Sequence, residues 1–193
     1  MLPTPQAFAD ESYFGTDQAG HYIFAAVFFA RSKCELASEA MLGLRTRNHP
    51  GKLHWHDMTD RQRLHAARTL ASIDGEHVVA VGAPVPQETQ ERGRAKCLER
   101  LVVELHGLGV AELCVESRSR RLNDRDVDVV RGAKYKLHKG ARFTIAHSPG
   151  SKEPLLWAAD ILAGAMRARF AGSAAPWEAL EHRTMECAVD VRR

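Results

Sequence analysis

The stretch that most constrains this chain is its last long apolar run, Glu153-Pro-Leu-Leu-Trp-Ala-Ala-Asp-Ile-Leu-Ala-Gly-Ala-Met-Arg-Ala-Arg-Phe170. Pro154 suits the first turn of a helix and Gly172 a position just past its end, which predicts one helix over 153–170. Leu155, Leu156, Ala159, Leu162, Ala163 and Met166 recur at three- and four-residue spacing, so one face of that helix is expected to be buried. Asp160 breaks the run. Leu156, Trp157, Ala163 and Gly164 lie one turn away, and none of them can neutralise a carboxylate. A half-buried acid among such neighbours is costly unless a cation or a hydrogen-bonding partner meets it. Ala159, Ala163 and Gly164 are small enough to let another backbone approach at this level. The rest of the chain has to supply what Asp160 faces.

A length of 193 residues, with 45% hydrophobic and 26% charged residues, suits one soluble domain with a continuous core. No apolar run approaches the roughly 20 residues of a membrane span. The start Met1-Leu-Pro-Thr-Pro5 lacks a basic region followed by an apolar one, so a cytoplasmic protein is expected. Cys34, Cys97, Cys114 and Cys187 are scattered with no Cys-x-x-Cys pair, which argues against a zinc ribbon and for reduced, mostly buried thiols. A net charge of +3 permits a nucleic-acid partner without demanding one. Basic residues gather at Arg118, Arg120 and Arg121, and again at Arg131, Lys134, Lys136, His138, Lys139 and Arg142. A solvated face explains such clusters as readily as phosphate contact does.

In chain order, residues 6–12 predict a first strand ending on acids, with Phe8, Asp10 and Ser12 on one face and Ala7, Ala9 and Glu11 on the other. A turn between Gly15 and Gly20 leads to an apolar second strand over 21–30, joined as an antiparallel hairpin. A helix is expected over 33–46, stopping at Asn48-His-Pro-Gly51. Residues 52–56 predict a short third strand with Trp55 facing inward. Asp57 or Thr59 then caps a helix over 60–73. A Val-rich strand over 76–85, a helix over 88–107 and a strand over 110–116 follow. Asn123 or Asp124 caps a helix reaching about His138, and residues 141–147 give the last sheet strand. Beyond Phe170, residues 176–181 suggest a helical turn and 184–191 an edge strand or docked tail. This alternation predicts one α/β domain, a mixed sheet flanked by helices, with its core over 6–170 and an extension over 173–193. No Gly-rich phosphate loop follows a strand, which disfavours a parallel nucleotide-binding fold.

Acids fall where strands end or helices begin: Asp10 with Glu11, Glu116, and Asp124, Asp126 and Asp128. Asp160 is the fourth place. Ligands of open sheets gather at strand ends, and carboxylates brought together there raise one another's pKa unless a cation is present. Magnesium or manganese suits an all-oxygen site, and two such ions support phosphodiester hydrolysis. Each acid also has a plainer use: an exposed strand end for Asp10-Glu11, a surface bridge from Glu116 to Arg118 or Arg120, a helix dipole for 124–128. His147 is more readily a loop histidine than a proton carrier, and His54 and His56 have no second ligand pair for zinc.

Phe8-Ala-Asp-Glu-Ser12, Val115-Glu-Ser-Arg118, Leu122-Asn-Asp-Arg-Asp126 and Glu153 to Ala165 occur in an order that resembles the family catalogued as domain of unknown function 3800. That family is itself similar in fold to ribonuclease H and the retroviral integrases. The resemblance spans roughly 6–170, with Gly164-Ala165 following Asp160 one residue closer than in the family's Trp-x-x-Asp motif. It implies a ribonuclease-H-like mixed sheet with flanking helices and a Mg2+ or Mn2+ site held by Asp10, Glu116, Asp126 and Asp160, with Asp124 as the rival of Asp126. The function expected from it is a divalent-metal-dependent nuclease acting on RNA or DNA, with Arg118, Arg120, Arg121, Lys134 and Lys136 as candidate phosphate contacts. The alternatives are a non-catalytic nucleic-acid-binding or protein-interaction module, and hydrolysis of a small phosphorylated molecule.

Overall fold

Three antiparallel strands form the middle of the sheet. In the computed structural model, which describes residues 5–15, 19–45 and 51–192, β1 (Gln6–Gly15) pairs with β2 (Gly20–Phe28) from Ala7↔Phe28 to Gly15↔Gly20. β2 pairs antiparallel with β3 (Glu76–Ala83). On the other side of β1, β4 (Glu112–Glu116) and then β5 (Thr144–Ser148) run parallel to it. β6 (Thr184–Asp190) closes the far edge parallel to β3, giving the order β5-β4-β1-β2-β3-β6.

Side-chain alternation along these strands builds two cores. Phe8, Ile23, Ala25, Val27, Val79 and Val81 face α1 (Arg31–Gly43), α2 (Asp60–Ala71) and α5 (Pro154–Phe170), with the short α6 (Ala175–Glu178) behind. Ala7, Ala9, Phe24, Ala26, Val78 and Ala80 face α3 (Gln90–Gly107) and α4 (Arg120–Ala133). β2 is therefore buried on both sides, which is why it reads as a continuous apolar run rather than an alternating one. Among the described residues no helix is long and apolar enough to cross a membrane.

The mixed sheet flanked by helices and the hairpin are as expected; the helix expected over 153–170 spans Pro154–Phe170, and of the two readings of 184–191 the edge strand holds. Thr59, not Asp57, caps α2: its side chain accepts from the Gln62 backbone while Gln62 reaches back, a complete capping box. Gly109 ends the connection after α3 at φ +83°, as the Gly107-Leu-Gly109 signal implied. The expected turn at 15–20 and the helix stop at 48–51 fall largely outside the described residues.

Two expectations are corrected. Residues 52–56 form no strand; the chain crosses in extended loop and makes a 3-10 turn at Trp55–Asp57. α4 starts at Arg120 with Ser119 as its N-cap residue, not at Asn123 or Asp124. Asn123 lies inside the first turn and its Oδ1 accepts the Arg118 N–H at 2.9 Å, so it closes the turn from within the helix.

Candidate metal centre

Asp10 and Glu11 are adjacent on β1, and the period of two sends them through opposite faces of the sheet. The parallel ladder of β1 with β4 ends at Ala9↔Val115, so Asp10 and Glu116 are the next residues on neighbouring strands and face the same way, toward α5. Asp160 reaches this level from the middle of α5. Its Oδ2 accepts the Trp55 backbone N–H at 2.8 Å. The indole of Trp55 lies against Gly164, where any Cβ would overlap the ring. Asp160 and Gly164 are four residues apart and share a helix face, so one takes the backbone of Trp55 and the other its side chain. The small residues of α5 do admit another segment, and that segment is the loop at 51–57.

The environment of these acids is short of positive charge. Burial pushes the Asp10 carboxyl well above the usual range, and the charges of Glu11, Asp160 and Glu116 push the same way, with Lys52 opposing. Burial also raises Asp160, against the pull of the Trp55 N–H, Lys52 and His54. The cation inserted among them is Lys52, whose Nζ contacts Glu116 Oε2. Three carboxylates around one ammonium leave negative charge unmatched, and their oxygens are the donors a hard divalent ion prefers. By donor chemistry Asp10, Glu116 and Asp160 fit magnesium or manganese. Among the described residues, no three His, Cys, Asp or Glu side chains are drawn close enough to hold an ion as they stand, with Glu116 engaged by Lys52.

Asp126 lies elsewhere. It is 3% exposed, on the α3/α4 face of the sheet, where Arg94 of α3 binds it through two nitrogens at 2.9 and 2.8 Å. Arg118 adds a contact at 3.2 Å and His147 one at 3.3 Å. Burial alone would raise the Asp126 pKa, but the hydrogen bonds from His147 and Arg94 and the arginine charges outweigh it and hold it at about 2. Arg94 also meets Glu11 at 2.6 Å and lies 4.7 Å from the Phe24 ring centroid. Asp124 is exposed on α4. The structure thus gathers Asp10, Glu116 and Asp160 on one face and places Asp126 in a buried ion network on the other.

The candidate phosphate contacts divide as well. Arg118 is tied to Asp126 and, at 2.5 Å, to Glu91. Arg120 and Arg121 are exposed where α4 begins, just after the Glu116 strand end. Lys134 and Lys136 follow the other end of that helix, and Lys136 pairs with Glu99 at 3.1 Å. Lys52 and Arg94 had no signal in the sequence, since neither stands in a motif. No family model matches the chain, and no curated protein matches it.

Proposed function

We propose that this protein is a divalent-metal-dependent nuclease that hydrolyses phosphodiester bonds of RNA or DNA, with Asp10, Glu116 and Asp160 as ligands for magnesium or manganese. The observation that carries this reading is the convergence of three carboxylates from β1, β4 and α5, two of which, Asp10 and Asp160, burial and neighbouring acids make costly to ionise. A bound cation reverses that cost. When bound, such ions activate a water and stabilise a leaving oxygen. The chain's own part is positioning: the Trp55 N–H fixes Asp160, and the β1–β4 ladder sets Asp10 beside Glu116. The antiparallel first three strands, with β4 and β5 parallel beside β1, support a ribonuclease-H-like fold and the resemblance to domain of unknown function 3800. Asp126 is left out of the ligand set because Arg94, Arg118 and His147 already occupy its oxygens.

Calorimetric titration with manganese is expected to show binding in the wild type and none in Asp160→Asn. Metal-dependent cleavage of RNA or DNA should fall about 100-fold or more in Asp10→Asn and in Asp160→Asn, a loss of about 3 kcal/mol of transition-state stabilisation. Cleavage that survives both substitutions would rule out this site. A second reading rests on Lys52: if its ammonium is the permanent counter-ion, the fold is a non-catalytic binding module. Absence of manganese binding and of cleavage in the wild type selects that module.

A further inference from the structure

Lys52 is in the loop between α1 and α2, yet its side chain is only 13% exposed. An ammonium is strongly hydrated and seldom gives up water unless carboxylates replace it. Its stem lies against the Gly150 backbone: a Cβ on Gly150 would come within 2.7 Å of Lys52 Cδ and Cε and of Glu116 Oε1, so the glycine lets both side chains lie close over it. The carbonyl of Gly150 accepts the Trp157 indole N–H at 2.6 Å, and the Arg45 guanidinium lies 4.6 Å from the Trp157 ring centroid. Trp55, three residues on, is pinned to Asp160 and Gly164. The same short segment therefore carries both a cation into the acidic site and a backbone donor to one of its ligands.

We infer that Lys52 is a tethered counter-ion of the acidic site, which holds Glu116 in the metal-free protein and is displaced when a divalent cation binds. The inference rests on the metal-centre reading above and adds its regulation. One ammonium cannot balance three carboxylates, whereas a divalent ion carries twice the charge and competes for the same Glu116 oxygen. An ammonium and a divalent ion on one carboxylate repel each other, which favours release of the lysine when the ion binds. Release of Lys52 frees Glu116 to close on the ion, which accounts for acids of the right chemistry that stand apart as they are. The cost of displacing Lys52 is built into the apparent metal affinity, and by linkage the metal weakens the hold of Lys52 by the same factor.

The test is manganese titration by calorimetry of the full chain as wild type, Lys52→Met, Lys52→Gln and Asp160→Asn, with folding checked by circular dichroism. Removing the competitor is expected to tighten manganese binding about tenfold in both lysine variants, while Asp160→Asn loses it. Unchanged or weaker binding in the lysine variants, with binding still lost in Asp160→Asn, would leave the metal centre standing and overturn the counter-ion. No binding in any variant would overturn both. A second measurement needs no variant: acetic-anhydride labelling of the wild type, read by peptide mass spectrometry. Lys52 should react several-fold faster with manganese present, and equal or slower reaction contradicts its displacement.

Discussion

At the scale of single residues, two neighbouring carboxylates meet opposite fates. Asp10 faces other acids and its pKa is raised; Glu11, one residue on, faces Arg94 and joins the network around Asp126. In that network Asp126 is held at about 2, below an unfolded value of about 3.9. A depressed carboxylate stabilises the fold fully above pH ~4, and that stabilisation, about 2–3 kcal/mol, is lost as pH falls through about 2. Asp126→Ala would leave Arg94 buried without its main partner and should cost about 3–5 kcal/mol, read by urea unfolding at pH 7. The variant should also lose the wild type's steep fall in stability between pH 4 and 2. A variant as stable as the wild type would mean that the ion pair contributes nothing net. Four acids were legible as candidates: Asp160 interrupts an apolar run and Glu116 ends β4, while Asp10 and Asp126 were read at an expected strand end and helix start, although β1 runs on to Gly15 and α4 begins at Arg120. Which of them meet each other was not, because an arginine on α3 is 32 residues from Asp126 in sequence and no local pattern links them.

At the scale of elements, α5 organises the site through one face. Glu153 caps it, accepting the Leu155 N–H at 3.1 Å, and Pro154 opens it. Asp160 and Gly164 then receive the Trp55 segment. Gly164→Ala places a methyl where the indole packs and should cost about 1–3 kcal/mol, measured by chemical unfolding. Because Trp55 would shift with it, manganese affinity should also fall; a fully stable variant with unchanged affinity would show that this packing does not position Asp160. The helix itself was legible from its period and its end signals. The loop at 52–56 has the pattern of a strand because Leu53 and Trp55 alternate with polar residues at a period of two. Alternation states which side chains turn inward, and Trp55 does. It does not supply a ladder partner: the sheet edges are β5 and β6, and the burial of Trp55 is against a helix instead.

Over the whole molecule, α4 separates two basic groups that lie close in sequence. Its 14 residues rise about 21 Å, so Arg120 and Arg121 stand by the acidic strand end while Lys134 and Lys136 lie near the start of β5. If the strand ends hold nucleic acid, Arg120→Ala with Arg121→Ala should weaken single-strand binding and reduce the salt slope by about 0.7 for each phosphate no longer neutralised. Lys134→Ala with Lys136→Ala should leave that slope unchanged, and the reverse result would move the binding path to the far end of the sheet. The alternation of strand and helix patterns along the chain determined the α/β class, the buried second strand and the long closing helix, because hydrophobic period and end signals are local properties. Tertiary structure alone decided that β4 and β5 join the sheet on the β1 side, that Asp126 turns away from Asp10, Glu116 and Asp160, and that Lys52 meets Glu116. Those are meetings of residues far apart in sequence, and only the packing of two faces of one sheet determines which charges share a space.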